Sequence, residues 1–264
     1  MEKVIVEQLG PVRVITINRP ERMNALDDEA NAKMIEAFAD FDADPEARVA
    51  VVTGAGDKAF CAGADLVDFS LQNATVPAPE FRMNYIDGIG FGGITRNYYG
   101  TKPIVAAVNG FAISGGLEIA VAADIRLCSD TAKFGFQDVR WGFHCSDGGS
   151  IRLPLIVGHG NAMEMLLSGD LVDAEHALRI GLVTEICPTG ELRDRAIAYA
   201  EKLATRAPLA QRFAKDYVTR SIGMYMDEAL RMEVRSFYDL AHSADMQEGV
   251  TAFKERRTPQ FSGK

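Results

Sequence analysis

Two short glycine-rich segments and one glutamate carry the most chemistry in this chain. The first segment is Cys61-Ala62-Gly63-Ala64-Asp65-Leu66; the second is Asn109-Gly110-Phe111-Ala112-Ile113-Ser114-Gly115-Gly116-Leu117-Glu118. Small residues at a helix start let backbone N–H groups approach a ligand oxygen, and the helix dipole favours negative charge developing there. Neither segment has the Gly-Lys-Ser/Thr of a Walker phosphate loop, and neither has the full dinucleotide fingerprint after a first strand. Taken alone, such a segment is more often simply a tight turn. Glu118, three residues past Gly115, puts a carboxylate and a backbone donor into the first turn of one helix. By pattern alone it reads equally as a surface charge on an amphipathic helix.

Other reactive side chains form weaker patterns. His144 and Cys145 are adjacent, and neighbouring side chains rarely make a nucleophile–base pair. His159, His176 and His242 are dispersed, so no metal-ligand set is legible around His144. Ser114, just before Gly115, reads as a turn cap. Cys61, Cys128, Cys145 and Cys187 lack both metal-ligand spacing and a disulfide pattern, which reads as reduced thiols in a cytoplasmic protein.

These residues need a scaffold, and the sequence supplies an α/β one. Alternating and β-branched runs at 4–6 and 12–17 read as paired strands, and Asp27 opens a helix carrying Ala30, Met34, Ile35 and Phe38 on one face. Apolar strands follow at 49–52 and 103–108, with shorter ones at 126–128 and 132–134. The compact segment 60–66 reads as a tight turn opening another helix. This cadence of strand, turn and helix implies buried strands in an α/β core. Helices are expected over 161–167, 174–180, 192–205, 209–219, 226–242 and 246–256, so the chain is mainly helical from Leu192 onward. The irregular stretch 70–100 reads either as helix-and-loop packing or as a wall around an apolar ligand.

The 264 residues include 28 Lys and Arg against 37 Asp and Glu, a formal charge of -9. No basic face or stripe is evident, so nucleic acid is a poor partner. The N-terminus MEKVIVEQLG has no long apolar run, and no stretch of about 18 apolar residues follows, so neither a secretory signal nor a membrane span is expected.

The chain resembles the crotonase superfamily, the enoyl-CoA hydratase/isomerase family, from near its beginning almost to its end. The resemblance rests on Ile17-Asn18-Arg19-Pro20 with Asn24-Ala25-Leu26, on 59–66, 102–118 and 134–153, and on Glu248-Gly249, Ala252-Phe253 and Glu255-Arg256-Arg257. It implies the crotonase spiral of ββα units over 1–191, with a helical C-terminal trimerisation region over 192–264 that completes part of the CoA site. It also implies a homotrimer or homohexamer. This fold supports several reactions, so it specifies chemistry less sharply than architecture.

What the resemblance implies for the site is specific. Ala64 and Gly115 supply the backbone donors of an oxyanion hole for a thioester carbonyl. Glu118 is the first catalytic carboxylate. The second falls on Asp138, where hydratase-like members carry Glu; one methylene less sets the carboxylate back by roughly 1 Å, and small misplacements are costly. Some relatives place a catalytic Asp at the position of Ser146, whereas here Asp147 comes one residue later, so either is a candidate catalytic or water contact. Ala62, Asp65, Leu66, Phe237, Phe253 and Arg256 match positions that contact CoA. Met83, Tyr85, Phe91, Trp141 and Phe143 are candidates for the acyl pocket. The implied reaction adds water to a 2-enoyl-CoA, with no metal and no cofactor beyond the CoA of the substrate. A Δ-isomerase, an acyl-CoA hydrolase and a non-catalytic acyl-CoA binder are the alternatives.

Overall fold

The computed structural model describes residues 2–65 and 76–264. Its main sheet has six strands in the order β1 (Val4–Leu9), β2 (Val12–Ile17), β3 (Val49–Gly54), β5 (Ile104–Val108), β7 (Ile125–Ser129) and β10 (Glu185–Cys187). The β1–β2 pair is an antiparallel hairpin; every later pairing is parallel. A second sheet orders β4 (Ala59–Cys61), β6 (Phe111–Ile113), β8 (Lys133–Gly135) and β9 (Val172–Asp173). Consecutive strands therefore alternate between sheets: β3 to β4, β5 to β6, β7 to β8. Helix α2 (Gly115–Ala122) follows β6, and helix α3 (Gly149–Val157) follows β8 after a short 3-10 turn. The result is a spiral of ββα units.

Strand periodicity decides which side chain faces which layer. Ile15, Ile17, Ala50, Val52, Ala106 and Val108 pack into one core with Met34, Phe38 and Phe41 of helix α1 (Asp28–Ala43). Their alternates Val12, Val14, Val49, Val51, Val105 and Ala107 form a second core with Leu192, Ala196 and Ala200 of a later helix, Leu192–Ala204. Covering both faces explains why β3 and β5 read as unbroken apolar runs rather than alternating ones. Asp27 caps α1 as expected, its carboxylate accepting from the Ala30 amide at 2.9 Å.

Three more helices close the chain: Pro208–Arg220, Met226–Ala241 and Ala244–Glu255. The expected strands and C-terminal helices hold to within a few residues, whereas the short strands β4, β6, β9 and β10 and helix α3 were not expected. Helix α3 has Gly148 and Gly149 at its start and Pro154 inside it, signals that normally end helices. The anticipated helix opening near Leu66 lies outside the described residues. Among the described residues, no helix is long and apolar enough to cross a membrane.

Candidate active site

Short strands and close backbone approaches bring the two glycine-rich segments together. Ala64 is held in a parallel bridge with Leu26: the Leu26 amide donates to the Gly63 carbonyl, and the Asp65 amide donates to the Leu26 carbonyl, both at 2.9 Å. These bonds flank Ala64 and leave its own N–H out. The Asn18-Arg19-Pro20 and Asn24-Ala25-Leu26 motifs build the clamp behind it. Buried Arg19 pairs with Asp27 at 3.0 Å and with Asp65 at 3.2 Å, and the Asn24 side-chain amide donates to the Ala59 carbonyl at 2.7 Å.

Gly63 has φ +92°, and a Cβ there would lie 3.1 Å from the Gly115 nitrogen, so its bare backbone lets the two donor segments touch. A Cβ on Gly116 would lie 1.9 Å from the Cys61 carbonyl oxygen, which makes glycine obligatory where α2 meets β4. Ala64 and Gly115 consequently border one cavity of about 380 Å³ that also exposes Glu118 and Asp138. Two other cavities, of about 420 and 460 Å³ beside Tyr98 and Phe253, contain none of these four residues.

Glu118 is buried, and its Oε1 accepts from the amides of Asp147 at 2.6 Å and Gly149 at 2.9 Å. Both bonds meet one oxygen, leaving Oε2 for the cavity. Burial pushes the carboxyl up to about 7, with the Asp147 and Asp138 carboxylates adding to the rise and the two amides opposing it. Asp138 is buried as well, and among the described residues its Oδ2 has no hydrogen-bond partner. Burial again raises its pKa, against the Ser114 hydroxyl and the His144 ring, which favour the charged form. An unpartnered buried carboxylate oxygen is costly unless something arriving in the cavity satisfies it.

Ser114 departs from its expected role. Its hydroxyl makes no capping bond to α2, and its backbone sits at φ 50°, ψ -118°, a region that suits glycine. Asp147 lines the cavity and is tethered, its Oδ1 accepting from Phe91 N, Thr95 Oγ1 and Arg96 Nε at 2.8–3.0 Å. Ser146 is exposed on the cavity wall. Cys145 is buried and pushed up to about 11 by that burial, and the His144 Nδ1 engages the Cys145 carbonyl rather than its sulfur. No nucleophile–base pair forms there.

Of the five acyl-pocket candidates, Phe91, Trp141 and Phe143 line the cavity. Met83 and Tyr85 do not: Met83 is exposed, and Tyr85 stacks on Phe81 at 4.8 Å. Phe111, which no local spacing marks as a pocket residue, joins the aromatic wall. Among the CoA candidates, Ala62 lines the cavity, and the Asp65 carboxylate is turned inward onto Arg19. Leu66 lies outside the described residues. Phe237, Phe253 and Arg256 are exposed on the C-terminal helices, away from this cavity in the single chain. Among the described residues, no group of three or more His, Cys, Asp or Glu side chains is placed to hold a metal ion.

Comparison with known proteins gives a consistent neighbourhood. The sequence model of the family Enoyl-CoA hydratase/isomerase matches residues 7–264. The chain is 39% identical over 261 residues to (E)-benzylidenesuccinyl-CoA hydratase of Thauera aromatica, covering 98% of this chain and 99% of that protein. It is 36% identical over 267 residues to carnitinyl-CoA dehydratase of Escherichia coli K12, covering 100% and 99%. Its structure superposes on a crystal structure of enoyl-CoA hydratase from Mycobacterium tuberculosis H37Rv with a TM-score of 0.90 at 36% identity, covering 99% of each chain.

Proposed function

Because the chain belongs to the enoyl-CoA hydratase/isomerase family, we propose that it adds water reversibly across the 2,3 double bond of a 2-enoyl-CoA to give a 3-hydroxyacyl-CoA. The observation that carries this reading is the pair of buried carboxylates on one cavity wall. Glu118 has one oxygen fixed by two amides, and Asp138 has one oxygen with no partner.

The chemistry follows from that arrangement. A water between Glu118 Oε2 and Asp138 is held by two acceptors and aimed at the β-carbon. Glu118 takes its proton as the C–O bond forms, and the carboxylate pair returns a proton to the α-carbon. Like-charge coupling between nearby buried carboxylates separates their protonation states, which lets the pair serve as base and acid. The thioester oxygen gains negative charge as water adds. The Ala64 and Gly115 amides meet it, and donors that bind growing charge more strongly than the ground state lower the barrier.

Phe91, Phe111, Trp141 and Phe143 give the acyl end an aromatic lining, which supports a bulky or aromatic acyl group over a short straight chain. The name of the Thauera relative points the same way. Exposed Phe237, Phe253 and Arg256 fit a CoA site completed between subunits of a homotrimer or homohexamer, with 192–264 as the associating region. The shortened Asp138 favours a second reading, because a Δ-isomerase needs one well-held base, and Glu118 is that.

Incubation with crotonyl-CoA and longer, branched and aromatic 2-enoyl-CoAs in deuterated water, read by mass spectrometry, separates the readings. Gain of water that Glu118→Gln abolishes supports hydration. Double-bond movement or α-deuterium exchange without hydration supports the isomerase. Free CoA indicates hydrolysis, and binding without any change across the panel indicates a non-catalytic binder.

A further inference from the structure

Asp147 sits at the junction of the base and the acyl wall, and its contacts are divided between them. Its amide donates to Glu118 Oε1 at 2.6 Å, while its carboxylate, 13% exposed, gathers Phe91 N and Thr95 Oγ1 at 3.0 Å and Arg96 Nε at 2.8 Å. Its carbonyl accepts from Arg152 at 3.3 Å. The Thr95 hydroxyl shares its one proton between Asp147 and the Phe91 carbonyl, 2.9 Å away, and the Gly90 amide donates to the Arg96 carbonyl at 3.0 Å, so 90–96 is a closed loop held from one side by the Asp147 carboxylate and from the other by Asn31, whose Oδ1 accepts from the Gly92 amide at 2.7 Å. The ring of Phe91, carried by that loop, packs where a Cβ on Gly115 would come within 2.8 Å.

We propose that Asp147 is a positioning residue rather than a reacting one: braced by Arg96, it fixes the turn whose amides hold Glu118 and ties the Phe91 wall to that turn. The proposal rests on the reading of Glu118 as the base. The donors converge on Oδ1 and hold the side chain in one place, and that rigidity passes directly to the Glu118 oxygen that the Asp147 amide anchors. The brace then couples where the base stands to where the acyl group lies against the oxyanion donor. In sequence Asp147 is only a candidate catalytic or water contact one residue past Ser146; its partner Arg96 is 51 positions away and carries no motif.

The test is the pH profile of kcat/KM, measured for Asp147→Asn, Arg96→Gln, Arg96→Lys and Glu118→Gln on whichever enoyl-CoA the wild type turns over. The groups facing Glu118 are Asp147, Asp138, Cys145 and Arg152, with Arg96 behind Asp147. Asp147→Asn keeps the amide bond and removes a negative charge, so the acidic limb moves to lower pH by about half a unit. Arg96→Gln leaves the Asp147 charge uncompensated and moves the limb upward by a similar amount, and Arg96→Lys restores most of it. Both neutral variants lower kcat about tenfold on the plateau, the loss expected when a base is held loosely. Mere structural damage would not move the limb in opposite directions. Shifts of the same sign, or an unmoved limb with Glu118→Gln inactive, overturn the brace. An active Glu118→Gln overturns the assignment of the base itself.

Discussion

The amide of Gly149 donates to Oε1 of Glu118 at 2.9 Å, so the first turn of α3 grips the carboxylate carried by the first turn of α2. Two helix N-termini aimed at one carboxylate would ordinarily favour its charged form. Burial outweighs them, and the group ends at about 7 instead of near 4.5. A base with that value is half-ionised near neutrality, where a general base works best. We expect kcat/KM for hydration to fall about tenfold per pH unit below about pH 7. On the plateau above about pH 7, Glu118→Gln should lose about 10²–10⁴-fold, and the gap to wild type should narrow as pH falls. A wild-type profile flat down to pH 5 would contradict the assignment.

The same strain has a stability consequence with a definite sign. The folded-state pKa of Glu118 lies above its unfolded value, so the fold prefers the protonated group. That preference is fully present below the unfolded pKa and is lost as pH rises through about 7. Glutamine is neutral at all pH and can accept the same two amide bonds. Glu118→Gln should therefore be more stable than wild type at pH 8, by at most about 3 kcal/mol, with the gain vanishing toward pH 4. Denaturant midpoints for both proteins across that range check it, and a gain independent of pH would show that titration is not the cause.

How much of this was legible in sequence depended on whether the signal was local. Gly63, Gly115 and Gly116 could be singled out because tight backbone approach leaves glycine as its trace, and Glu118 because its donor lies three residues away. Strands β2, β3 and β5 were legible from their buried runs. Helix α3 was not, because Gly149 and Pro154 signal a break. The Asp147–Arg96 pair, Phe111 in the cavity wall and the outward turn of Met83 depend on how distant segments meet, which no local spacing encodes. Asp65 shows the converse: its place in a motif was plain, but only the fold shows its carboxylate spent on Arg19.

Neighbouring glycines should separate fold from function. Gly116→Ala places a Cβ 1.9 Å from the Cys61 carbonyl, backbone against backbone, with nowhere to shift. We expect a loss of about 3 kcal/mol or more. Gly115→Ala meets only the edge of the Phe91 ring at 2.8 Å, which can turn aside. Its fold should survive with a Tm near wild type, while kcat drops about 10²-fold because the donor and the acyl wall no longer register. Equal destabilisation by both substitutions would remove the distinction.

Asp138 offers the sharpest division between hydration and simple proton exchange. Among the described residues its Oδ2 is buried without a partner, and burial raises its pKa, so ionising it carries a cost that an arriving water or substrate offsets. Asp138→Asn removes that charge and leaves Glu118 in place. The variant should be at least as stable as wild type, because it buries an amide in place of an underserved carboxylate. Hydration should fall about 10²-fold or more, since the water loses the negative charge of its second acceptor and its second proton partner. Exchange of the α-proton into deuterated water, run on a saturated acyl-CoA so that no addition is required, should persist because Glu118 and the two backbone donors suffice for it. Mass spectrometry reads both reactions. If exchange and hydration collapse together while binding is retained, Asp138 takes part in every proton transfer at the site; if neither changes, it is scaffold and the water is held by Glu118 alone.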